Sequence, residues 1–199
     1  MNETQTRSKT RVLTECAMMV AVSVVLMQIK LFSMPYGGSV TLCSMLPVIL
    51  ISYRNGTKWG LMTGLVLAVL EMITGWYAPP AGTFLAYFGM ILLDYVLAFT
   101  MLGTASFWAK PFKNKYAGVA AGTAVVCVLR FCCSFLSGFL IWSSDAPVGE
   151  SAVWYSLVYN GGYMLPEMVI TVSAALLLYK FAPVLFGEAK AAKTAQADV

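Results

Sequence analysis

Four ionisable side chains sit deep inside apolar stretches of a 199-residue chain, about 12 or more residues into each and away from its ends: Glu71, Asp94, Arg130 and Glu167. A charge at the centre of a membrane helix costs about 2.5–3.5 kcal/mol on insertion scales, so such groups face a bundle interior or a water-filled cavity. Three acids against one base leave a formal excess of negative charge, which suits a cavity that receives a cation. The competing reading is that Arg130 pairs with one acid, the others are protonated, and the group only holds helices together. Spacing shows what shares these faces. Arg130, Ser134, Gly138 and Trp142 recur at intervals of four, and Asn160, Tyr163 and Glu167 at three and four, while Tyr87 and Asp94 are seven apart. Each set lies on one face of a helix. Aromatic rings stack on planar ligands and hold cations through their negative faces, at roughly 0.5–2 kcal/mol each. The combination fits a site for a flat, positively charged organic molecule.

The elements that must position these residues follow from composition. The chain is 59% hydrophobic and 11% charged, with no histidine. A soluble domain carries about 25% charged residues and about 45–50% apolar ones, so a water-soluble globule is excluded. What remains is a single, all-α integral membrane domain, residues 1–199. Six apolar stretches can be marked, at 12–32, 39–53, 59–76, 83–109, 116–142 and 154–181. The second has only fifteen residues and contains Pro47, and charge placement argues that it nevertheless crosses. Eleven of the thirteen Lys and Arg lie in the termini and in alternate connections, at Arg7, Lys9, Arg11, Arg54, Lys58, Lys110, Lys113, Lys115, Lys180, Lys190 and Lys193. The connections 33–38, 77–82 and 143–151 hold none. Positive charge stays on the cytoplasmic side, so the alternation predicts six transmembrane helices with both termini inside.

The four ionisable groups then fall about 12 to 15 residues into their spans, or roughly 18–22 Å along them. That places them near the middle or in the outer half. The outer connections SMPYGGS, YAPPAG and SSDAPVGESAVWY are rich in Pro, Gly and aromatics, which suits either a cover over an outward pocket or an interfacial aromatic belt. Residues 187–199 read as a flexible cytoplasmic tail. The first eleven residues are polar and mildly basic, and the run that follows is long enough to span and lacks a small-residue cleavage site, so it reads as the first helix. The cysteines, Cys16, Cys43, Cys127, Cys132 and Cys133, lie in apolar runs without a CxxC pair and read as small buried hydrophobes. Small residues recur four apart at Ala17/Ala21, Gly60/Gly64 and Gly118/Gly122, which permits close helix packing. No phosphate-binding GxxxxGK[ST] motif occurs, and no Ser or Cys has a plausible base. The chain is expected to be neither an ATPase nor an enzyme, with no metal site and no nucleic-acid partner.

Several segments carry a resemblance: Ala17-Met-Met-Val-Ala21, GGSVTLCSMLPVILISYRNG, LLDYVLAF, FLSG and YSLVYNGGYMLPE. With these, the chain resembles the thiamine-specific S component, the substrate-binding subunit of energy-coupling factor vitamin transporters. The resemblance covers residue 14 to about 179. It implies the six-helix S-component fold in a prokaryotic plasma membrane and a role in capturing thiamine from outside. It also implies docking, through Ala17 and Ala21, on a transmembrane coupling subunit driven by two ATPase subunits. ATP would be used by those partners, and no cofactor is expected on this chain.

By matching position, Asp94 faces the thiazolium with Tyr95 beside it, Trp142 is the stacking indole, Gly138 is a close-contact wall, and Tyr155 and Asn160 supply ring and polar contacts. Ser134, Tyr163 and Glu167 complete the expected substrate-binding set. Two positions depart from the family pattern: Ser134 stands where His is expected, and Asp94 where Glu is usual. Tyr36 and Trp76 are candidate pocket aromatics from the first half. The alternatives are an S component for another vitamin, a self-sufficient secondary carrier of organic cations, and a small membrane enzyme. A secondary carrier more commonly shows internal repeats and paired broken helices, and none is detected here.

Overall fold

The structure is a computed structural model that describes residues 9–34 and 38–188. Five helices are long and apolar enough to cross a membrane: α1 (Lys9–Gln28), α3 (Thr57–Thr74), α4 (Phe84–Ala109), α5 (Lys115–Leu140) and α6 (Ala152–Phe181). Between α1 and α3 lie a two-stranded antiparallel hairpin, β1 (Lys30–Ser33) and β2 (Ser39–Thr41), and a ten-residue helix, α2 (Leu46–Asn55). Polarity runs opposite to that of a soluble bundle. On α1, Val12, Cys16, Val20, Ser23 and Met27 form a buried stripe while Leu13, Met18, Val22 and Val25 are exposed, the pattern of a helix with lipid on its outer face.

The second expected span, 39–53, is not one helix. Ten residues at 1.5 Å each make α2 about 15 Å long, half of a hydrocarbon core. Pro47 occupies the first turn of α2, where its missing N–H costs nothing, and Cys43 with φ 58° bends the chain between β2 and that turn. The end of the first stretch is corrected likewise: α1 stops at Gln28, and residues 30–33 belong to the hairpin. Val40 and Thr41 of β2 are buried, so irregular backbone there is surrounded by protein, whereas all four residues of β1 are exposed. Every residue from Leu46 to Ser52 is buried, so α2 runs through the centre of the bundle. Its far end returns to the start of α1, where the Arg54 Nε lies 3.0 Å from Glu15 Oε2 and Asn55 donates to the same oxygen at 3.2 Å. Residues 30–34 and 38–55 therefore run from one end of the bundle to the other, first as hairpin strands and then as helix.

Glycine sets the contact between α3 and α4. A Cβ on Gly60 would stand 2.5 Å from the Gly103 carbonyl oxygen, and one on Gly64 2.5 Å from that of Phe99. Gly122 does the same between α5 and α4, 2.6 Å from the Ala105 carbonyl oxygen. Gly118 approaches Ala109 more loosely. Two of the three small-residue pairs are thus used within the chain, whereas Ala17 and Ala21 are exposed on α1. Of the expected tail, Gly187 and Glu188 are described, Glu188 pairing with Lys115 at 2.6 Å, and the remainder lies outside the described residues.

Candidate functional site

Where α4 reaches Ile91–Leu97 its hydrogen-bonding widens into a π-helix, a form that is rare and frequent at functional sites. The wider turn carries Asp94 toward α5 and Tyr95 toward the end of α3. Asp94 Oδ2 accepts from the Ser137 hydroxyl at 2.5 Å and from the Trp142 indole N–H at 3.2 Å. Among the described residues Oδ1 has no donor, so one carboxylate oxygen stays available. Tyr95 donates to the Gly75 carbonyl at 3.0 Å, and its ring stacks on Trp76 at 6.2 Å and 13°. Trp76 is also stacked with Tyr87, at 6.3 Å and 9°. Opposite, Tyr77 tilts against Trp142 at 5.8 Å.

These groups open onto a cavity of about 470 Å³. That lies within the roughly 300–1,000 Å³ usual for small-molecule sites. All nine residues expected at the substrate site line it: Asp94, Tyr95, Ser134, Gly138, Trp142, Tyr155, Asn160, Tyr163 and Glu167. So do Glu71 and Arg130, and with them the entire stripe Arg130, Ser134, Gly138 and Trp142, the last just past the end of α5. Tyr87 does not line the cavity; it backs Trp76. Trp76 takes its place there, whereas Tyr36 lies outside the described residues.

Arg130 departs from the ion-pair alternative. Its guanidinium sits 4.4 Å from the centre of the Phe99 ring, its Nε has no hydrogen-bond partner, and it makes no ion pair among the described residues. None of the described acids is therefore held against it in a direct ion pair. Burial does act on one acid at the outer mouth, where it pushes the Asp145 carboxyl above its ordinary value.

Asn160 is held by its neighbours. Its Nδ2 donates to the Ser156 carbonyl at 2.9 Å and contacts the Ser156 hydroxyl at 3.2 Å, and its Oδ1 accepts from the Tyr163 hydroxyl at 2.9 Å. Both amide hydrogens are committed, so what Asn160 can offer a ligand is the second lone pair of Oδ1. Gly138 is the reason α5 comes this close: a Cβ there would collide with the Ser156 hydroxyl and stand 3.0 Å from Asn160 Nδ2.

Sequence reasoning did not single out Lys30, Thr41, Tyr77, Asp145, Ser156 or Tyr159, which also line the cavity. Ser156 and Tyr159 were within reach, one helical turn before Asn160 and Tyr163 on the same face. Lys30 and Thr41 were not, because they belong to the hairpin.

Known proteins are similar to this chain in sequence and in fold. The family model for "Thiamine transporter protein" (Thia_YuaJ) matches residues 13–187. The Thiamine transporter ThiT of Bacillus subtilis (strain 168) is 34% identical over 190 residues, covering 90% of this chain and 95% of that protein. A solved structure of ThiT from Listeria monocytogenes superposes with a TM-score of 0.74 at 24% identity, over 89% of this chain and 98% of the other, a likeness of fold. The chain belongs to the thiamine transporter protein family, a family of transporters rather than enzymes, and is a multi-pass protein of the bacterial plasma membrane.

Proposed function

We propose that the cavity captures one thiamine molecule from the outer side, and that the protein delivers it inward when docked on an ATP-driven coupling module. The observation that carries the reading is the free oxygen of Asp94, beside the Trp142 indole in a cavity that the stacked Trp76 and Tyr95 also line. Thiamine is an aminopyrimidine joined through a methylene to a thiazolium ring. The thiazolium is a flat, permanent cation and matches a carboxylate flanked by π-faces. The exocyclic amine of the pyrimidine is a donor and matches the open lone pair of Asn160 Oδ1. Tyr155 and Tyr159, 5.8 Å apart, add aromatic wall on α6.

Energy must come from elsewhere, since the sequence holds no phosphate-binding loop. Ala17 and Ala21 are the small-residue pair not used inside the chain, and we assign them to contact with the transmembrane coupling subunit. The two ATPases would act through that subunit.

The test is a titration of the detergent-purified chain with thiamine, without nucleotide or partner. Binding at one site is expected, reported by quenching of tryptophan fluorescence as a ligand stacks near Trp142 and Trp76. A flat response to thiamine together with a response to riboflavin or biotin would reassign the cavity to another vitamin.

A further inference from the structure

Glu167 shares a face with Asn160 and Tyr163 and lines the cavity, yet its carboxylate is spent on the chain itself. Oε2 accepts the backbone N–H of Thr41 at 2.5 Å, and Oε1 lies 2.6 Å from the Thr41 hydroxyl, which in turn is 2.6 Å from the Ser44 hydroxyl. The residue is 3% exposed. Thr41 ends β2, and Cys43 and Ser44 turn the chain into α2. A side chain in the middle of α6 therefore fixes the junction between hairpin and central helix, 126 residues earlier. This junction is cavity wall: Ser39, Thr41 and Ser44 all line the site. A second side-chain bond between the hairpin and α6, from the Gly38 N–H to the Tyr159 hydroxyl at 3.1 Å, is a neutral one.

We propose that Glu167 is a positioning residue, acting on the ligand through Thr41 by holding the hairpin wall against α6, and not as a charge that attracts the ligand. The proposal rests on the reading that the cavity binds thiamine. Two roles predict opposite orders for two conservative substitutions. In Glu167→Gln the amide oxygen can still accept from the Thr41 N–H and the amide nitrogen can donate to its hydroxyl, so the clamp survives while the charge is lost. In Glu167→Asp the charge survives, but the side chain is about 1.5 Å shorter and cannot reach both groups.

Both variants are made in the full chain, and thiamine dissociation is followed by stopped-flow tryptophan fluorescence. Glu167→Asp is expected to speed dissociation about tenfold, the scale of a lost hydrogen bond to a buried carboxylate, and Glu167→Gln by less than about threefold. Amide hydrogen exchange should rise over 38–44 in Glu167→Asp, stay at the wild-type level in Glu167→Gln, and leave α1 and α5 unchanged in both. Thr41→Val, which deletes the hydroxyl from the other side, should speed dissociation in the same direction and gives the answer if Glu167→Asp fails to fold. Greater damage from Gln than from Asp, or wild-type exchange over 38–44 in Glu167→Asp, would overturn the proposal. Absence of thiamine binding by the wild-type chain would instead overturn the functional reading, and the exchange comparison would still decide the role of Glu167.

Discussion

Asp94→Asn removes one charge from the cavity with little change of shape. A thiazolium stacked on the Trp142 indole, whose N–H is 3.2 Å from Asp94 Oδ2, places its positive ring about 4–5 Å from the carboxylate. At an effective dielectric constant of about 20, that pair is worth about 3–4 kcal/mol. The expected loss of thiamine affinity is on the order of a hundredfold to a thousandfold. Asparagine also weakens the bonds from Ser137 and Trp142, a cost that falls on any ligand needing the same pocket shape. The ratio of two ligands separates these effects. Thiamine and a neutral analogue lacking the quaternary nitrogen are titrated by calorimetry against wild type and Asp94→Asn; thiamine should lose about a hundredfold or more and the analogue about tenfold or less. Glu71→Gln should discriminate less, because the Glu71 carboxylate lies against Gly75 at the end of α3, whereas that of Asp94 is bonded to the Trp142 indole. Equal losses of both ligands in Asp94→Asn would refute the charge argument and make Asp94 a residue that only holds α4 to α5.

Two other outcomes follow from the packing. Gly138→Ala forces a methyl group against the Ser156 hydroxyl and Asn160 Nδ2, so α6 must shift; we expect a stability loss of about 1–3 kcal/mol by thermal unfolding and weaker thiamine binding, whereas unchanged values would mean the two helices are not held this close. Ala17→Trp and Ala21→Trp alter an exposed stripe of α1 remote from the cavity, so binding should persist while ATP-dependent uptake into vesicles holding the complete complex is lost; uptake by vesicles holding this chain alone would overturn the coupled mechanism.

Residue type and spacing alone dictate which residues must meet. An ionisable group in a bilayer is too costly to face lipid, so Glu71, Asp94, Arg130 and Glu167 had to converge on an interior, and all four line one cavity. The four-residue rhythm from Arg130 to Gly138 survives because α5 is a regular helix of 26 residues, where spacing translates directly into direction, and Trp142 joins the same cavity from the turn just past its end.

The tertiary structure decided what that reasoning has no access to, namely the form of the backbone and what each polar group spends its bonds on. Apolar composition over 39–53 reports depth in the membrane but not conformation, since backbone wrapped in protein finds partners outside a helix, as Thr41 does in Glu167. The π-helical turn at Asp94 leaves no mark in the letters ILLDYVL, because packing selects it. Glu167 and Asp94 look alike as acids on an apolar helix. They differ because the chain brings Thr41 to both oxygens of one and donors to a single oxygen of the other, a distinction made by contacts 126 and 43 residues away in sequence.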